Sequence, residues 1–118
     1  MSEPFSRTLR KHLTDSCEEL SYSHHNKGVY VNTIGPRFET PREIRFYSQL
    51  GGDIVGMTNV PEVILSRERG LEYAKIATGT NYACGISENP LTYEEVSEMM
   101  KKREEQLKEI LTETIKRI

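Results

Sequence analysis

Arg37, Phe38 and Glu39 stand side by side in "GPRFETP", between an apolar run and a run with helical spacing. A connector needs only a turn, so a cation, an aromatic ring and a carboxylate in succession raise the choice between a hinge and a ligand-facing loop. "GMTN" (residues 56–59) and "GTNYACG" (residues 79–85) have the same character. Each combines small residues, which let backbone approach a ligand, with one or two polar side chains. Thr58 places a hydroxyl where a helix is expected to begin, and a helix N-terminus binds phosphate readily. The convergence of the segments carries more information than any one of them.

Taken singly, each residue also has an ordinary role. Phe38 suits a core or hinge, and Met57 at a strand end suits core filling. Glu39 suits a solvated loop or the approach to a helix N-terminus, where negative charge is favoured. Arg37 could pair with Glu39 or with a neighbouring chain. Thr58 is a common N-cap type, and Asn81 a common satisfier of loop backbone. His12, His24 and His25 lack partners at metal-ligand spacing. Ser87 and Cys84 lack a nearby base, which argues against a nucleophile.

The elements that would position these segments follow from periodicity and caps. Leu9, Leu13, Cys17 and Leu20 give residues 5–20 the spacing of an amphipathic helix. "GVYVNTI" reads as a strand. Thr40, Pro41 and Glu43 form a helix start with a capping box, and that helix should end at Gly51-Gly52. "DIVGM" reads as a short buried strand, Thr58-Asn59 as a cap, and "VPEVILSRERG" as a helix closed by Gly70. "LEYAKIATGTNYA" reads as a third strand running into a Gly/Asn/Ser/Pro loop. Thr92 and Glu95 then open a long helix to the C-terminus, striped by Val96, Met99, Met100, Leu107, Ile110, Leu111 and Ile115. The order α-β-α-β-α-β-α predicts an α/β fold with a mostly parallel sheet. Ligands in such folds collect beyond the C-terminal ends of strands, where all three segments fall. A sheet of three strands is thin and would need flanking strands from elsewhere.

Bulk properties narrow the function classes. The 118 residues suffice for one modest core. A formal charge of −2 with 29% charged residues provides no basic field for nucleic acid. No apolar run is long enough for a bilayer helix, and the N-terminal stretch lacks a signal-peptide core. Cys17 and Cys84 have neither zinc nor CxxC spacing, so free thiols in a cytoplasmic protein are expected.

Together, the ordered motifs "GPRFET", "GGDIVGMTNVPE" and "TNYACG" resemble the purine nucleoside phosphorylase family. The similarity is to the trimeric branch that includes the methylthioadenosine and methylthioinosine phosphorylases. It runs through nearly the whole chain but matches only the C-terminal half of a family subunit. It implies a single partial domain over residues 1–118, part of a three-layer α/β/α fold. The implied reaction is phosphorolysis, in which phosphate attacks C1′ of a purine nucleoside. The products are free base and ribose 1-phosphate, or its 5-methylthio analogue. Negative charge grows on the departing purine and must be stabilised. The resemblance assigns Phe38 to stacking on the base, Glu39 to its edge, Val55 to the base pocket and Met57 to the ribose face. It assigns Thr58 to phosphate and Asn81 to N7 and the C6 substituent as the catalytic contact. It extends less directly to Tyr93 and Val96 as 5′-group contacts. No cofactor or metal is implied, only inorganic phosphate as co-substrate. The implied assembly is a homo-oligomer, a trimer or a multiple of it, or a pairing with a complementary N-terminal half. Neither nucleic acid nor membrane is an implied partner.

The side chains at two of these positions bear on the choice of base. An Asn81 amide can donate to O6 while its carbonyl faces a protonated N7. A Glu39 carboxylate can accept from N1–H, which 6-oxopurines carry and adenine lacks. Branch members that act on 6-aminopurines resemble one another in having Asp at position 81, often Ser or Thr at 39, and a second Asp at 83, where this chain has Ala83. Inosine, guanosine or methylthioinosine is therefore the expected substrate class. The family's glycine-rich phosphate loop and Arg-His pair belong to its N-terminal half, so the chain alone is expected to have little activity. A methylthioadenosine phosphorylase is the enzyme alternative. A degenerate module that keeps an oligomer interface or a purine-binding surface is the non-enzymatic one.

Overall fold

The computed structural model describes residues 1–88 and 92–118, and part of the loop expected after the third strand lies outside them. The chain divides into two compact units. One comprises Met1–Asn26, Asn59–Ala77 and Arg103–Ile118; the other comprises Lys27–Thr58 and Thr78–Lys102.

The first unit is helical. Helix α1 (Arg7–Glu19) starts at Ser6, whose hydroxyl accepts from the Leu9 amide at 3.2 Å. Two residues expected at its start, Phe5 and Ser6, therefore serve as entry and cap. Ser16 is fully buried; its hydroxyl donates to the His12 carbonyl at 2.8 Å and lies 3.0 Å from Thr114 Oγ1. Cys17, Val63 and Ile110 complete the buried apolar set of this unit. Residues 71–77 hold to the N-terminal segment through a backbone bond from Ser6 to Tyr73 and a stacked Phe5–Tyr73 pair.

The second unit holds a β-α-β arrangement. Strand β1 (Tyr30–Asn32) and strand β2 (Ile54–Gly56) pair in parallel, with Val31 opposite Val55, and helix α2 (Pro41–Gln49) joins them. The capping box is complete: Thr40 accepts from the Glu43 amide, and the Glu43 carboxylate accepts from the Thr40 amide at 2.7 Å. Gly51 ends the helix at φ +84°, a conformation glycine adopts without strain. Ile44 is the buried anchor of α2. A Cβ on Gly52 would lie 2.6 Å from Val31 Cγ2, so the close return of the chain to the sheet needs glycine there.

Two expectations are corrected. Residues 71–83 form no strand, and the sheet among the described residues has two strands. A strand is held by ladder bonds to a neighbouring strand; residues 71–83 make no ladder with the outer edge of β1 or of β2. Helix α3 (Glu62–Glu68) begins later than expected, with Pro61 at its cap position and no side-chain cap. Thr58 is therefore not its N-cap. Helix α4 (Tyr93–Ile115) forms as expected, with the Glu95 amide donating to Thr92 Oγ1 at 3.2 Å. Its stripe is only partly covered, for Ile110 is buried whereas Leu111 and Ile115 are exposed. Helices together with a small parallel sheet make this a partial α/β domain.

Candidate functional site

The site residues that the resemblance assigned all fall in the second unit. Beyond the C-terminal end of β1 the chain enters the Gly35–Pro41 loop. Arg37 does not pair with Glu39. It makes a two-pronged contact with Glu43, at 2.9 and 2.7 Å, and also donates to the Phe38 carbonyl at 3.0 Å. These bonds and those from Thr40 hold the Glu43 carboxyl at about 2, well below its ordinary range, while Glu43 pushes the Arg37 guanidinium up. The cation of the loop is thus engaged by its own helix start.

That brace leaves Phe38 and Glu39 in contrasting settings. Phe38 is 41% exposed, while Glu39 is only 9% exposed. A buried carboxylate needs a donor, and Thr33 supplies it, its hydroxyl lying 2.5 Å from Glu39 Oε1. Thr33 is in turn anchored by its amide, which donates to the Gly56 carbonyl at 2.9 Å. No sequence pattern marked Thr33; the signal available was a β-branched hydroxyl residue at a strand end.

Val55 is half-buried on β2, and Met57 follows the end of the strand. Met57 Sδ lies 3.0 Å from where a Cβ on Gly35 would stand, so a glycine there gives the thioether room against the first loop. Thr58 is exposed, with its amide and hydroxyl each 3.4 Å from the Tyr30 hydroxyl. A Cβ on Gly56 would lie 2.1 Å from that same hydroxyl, so Gly56 provides the slot for Tyr30. Tyr30, also unmarked in the sequence, takes the supporting place that a helix terminus was expected to fill.

The loop of residues 79–85 reaches the same neighbourhood. Gly85, at φ +81°, sits where a Cβ would meet Pro41 Cβ at 2.5 Å. Asn81 is exposed; its Oδ1 accepts from Thr80 at 2.5 Å and its Nδ2 donates to the Tyr82 carbonyl at 2.9 Å. Asn81, Ala83, Cys84 and Ser87 border an open cleft of about 330 Å³, lined on the other side by Glu95, Glu98, Met99 and Lys102 of α4. Its size is at the lower end for small-molecule sites. Tyr93 is 72% exposed and Val96 half-buried, and neither lines this cleft.

A buried carboxylate acceptor, an exposed ring and a loop amide thus share one unit. The model of the phosphorylase superfamily matches residues 1–116. The chain belongs to the phosphorylase superfamily. Within it, the chain is 46% identical over 114 residues to the 6-oxopurine nucleoside phosphorylase of Pyrococcus furiosus, an alignment covering 97% of this chain and 43% of that protein. It is 43% identical over 118 residues to a probable S-methyl-5'-thioinosine phosphorylase of Methanopyrus kandleri, covering 100% of this chain and 46% of the relative. Among solved structures, methylthioadenosine phosphorylase from Schistosoma mansoni in complex with adenine superposes with a TM-score of 0.91 at 36% identity, over 98% of this chain and 46% of that one. The chain therefore spans less than half the length of these superfamily relatives.

Proposed function

We propose that this chain contributes the purine-facing part of a nucleoside phosphorylase acting on 6-oxopurine nucleosides, with inorganic phosphate as the second substrate. The observation that carries the reading is the buried Glu39 carboxylate, held by Thr33 at 2.5 Å. Such an acceptor matches the N1–H of hypoxanthine or guanine. Against adenine, whose N1 is a lone pair, it would set acceptor against acceptor and leave both unpaired. Phe38 stacks on the base, Val55 lines its pocket, and Met57 covers the ribose face. Asn81 exchanges its loop bonds for the N7 and O6 edge, where it stabilises the charge that develops as the glycosidic bond breaks. Thr58 offers its hydroxyl to phosphate without a helix terminus behind it. Tyr93 and Val96 are kept as 5′-group contacts on the resemblance alone, as is assembly into a trimer or a multiple of it.

The similarity to methylthioadenosine phosphorylase structures favours a 6-aminopurine substrate as the second reading, and Glu39 weighs against it. The test is phosphorolysis of inosine, methylthioinosine and methylthioadenosine, by the chain alone and mixed with a polypeptide supplying the family's N-terminal half. The expected result is little turnover alone. With the second polypeptide, the two 6-oxopurine substrates should be preferred over methylthioadenosine by roughly 10–100-fold in kcat/KM. Preference for methylthioadenosine would sink the reading.

A further inference from the structure

Glu39 has two carboxylate oxygens, and its selectivity depends on which of them faces a ligand and at what angle. The Thr33 hydroxyl has one proton and two acceptors in reach, Glu39 Oε1 at 2.5 Å and the Gly56 carbonyl at 3.4 Å. The shorter, charge-assisted contact takes the proton. Thr33 itself is clamped, because its amide donates to Gly56 at the end of β2. The carboxylate is thereby tied through Thr33, which follows β1 directly, to the end of β2, and Oε2 is the oxygen that Thr33 does not engage. Glu39 is 9% exposed, so solvent has little share in setting its orientation.

We propose that Thr33 is a positioning residue for base selection: it dedicates Oε1 of Glu39 to the protein and presents Oε2 to the N1–H of the purine. This rests on the 6-oxopurine reading above. Held to one orientation, the carboxylate meets a donor without reorganising, and it meets a lone pair without being able to turn aside. Without the hydroxyl, the carboxylate can rotate or take up water, so the penalty on adenine relaxes together with the gain on hypoxanthine.

The test uses the 118-residue chain labelled with carbon-13 at glutamate, in wild-type, Thr33→Val and Thr33→Ser forms at neutral pH. The first measurement is the Glu39 carboxylate carbon resonance, assigned by its loss in Glu39→Gln. The second is the affinity for hypoxanthine and for adenine, followed on the same spectra. The expected result is that Thr33→Val moves the resonance and cuts the hypoxanthine-over-adenine preference about tenfold, the scale of one hydrogen bond to a charged group. Thr33→Ser, which keeps the hydroxyl, should restore both. An unmoved resonance in Thr33→Val overturns the proposal whatever the purines do, and so does a moved resonance with the preference intact. A wild-type chain that shows no preference for hypoxanthine instead defeats the base reading, while the resonance still decides whether Thr33 holds Glu39.

Discussion

Glu39 is buried and receives the hydroxyl of Thr33, six residues earlier and itself bonded to the end of β2, whereas Asn81 is exposed and bonds to Thr80 and Tyr82 beside it. The loop around Glu39 is also braced by Arg37 and Thr40, which converge on Glu43 of α2. A group tied to a separate element is presented in one orientation before any ligand arrives. A group bonded to its own loop must give up those bonds to bind, and that reorganisation subtracts from affinity. The two loops touch where Gly85 packs on Pro41.

That junction offers the sharpest way to break the contrast. Gly85→Ala combines a left-handed backbone with a Cβ at 2.5 Å from Pro41, and should destabilise the chain by about 2–4 kcal/mol in urea denaturation. A cost under 0.5 kcal/mol would mean that the loops do not lean on each other. Next, Glu39→Gln in the complemented enzyme should lower kcat/KM for inosine by roughly 10–100-fold and raise that for methylthioadenosine, because an amide can donate to adenine N1 where the carboxylate could not. An equal loss on both substrates would make Glu39 a structural residue.

Thr40→Ala removes the cap of α2 and should cost about 1 kcal/mol, read from the urea midpoint. The Arg37 brace should show itself through pH. A carboxyl held at about 2 in the folded chain takes up protons more readily when unfolded, so its contribution is complete above the ordinary value of 4.5 and fades as pH falls toward 2. Arg37→Met should flatten that part of the stability profile, and an unchanged slope would show that the brace is idle. Smallest of all, Asn81→Ala should alter stability by less than about 0.5 kcal/mol, as for an exposed residue. In the complemented enzyme the same change should still slow inosine turnover, which separates a ligand contact from a loop support.

How far these features were legible depends on the reach of each interaction. Thr40 with Glu43, Thr92 with Glu95, and the stops at Gly51 and Gly70 all lie within about one helical turn, and the structure forms them as expected. The third strand was misread because apolar content signals burial, while a strand also requires a ladder partner that no local pattern reveals. Thr58 was misplaced as a cap because the turn at Pro61 delays α3. Arg37 had two carboxylates within reach along the chain, and the direction of the loop into α2 selected Glu43.

The two ends of α2, the start of α4, the parallel β-α-β order and the residue types at the candidate site are all readable from local sequence. Those follow from backbone preferences acting over three or four neighbours. That Thr33 holds Glu39, that Tyr30 stands beside Thr58 and that Gly85 meets Pro41 emerges from the folded chain alone. Each of these pairs depends on where the chain returns after a turn, which packing sets and neighbouring residues do not.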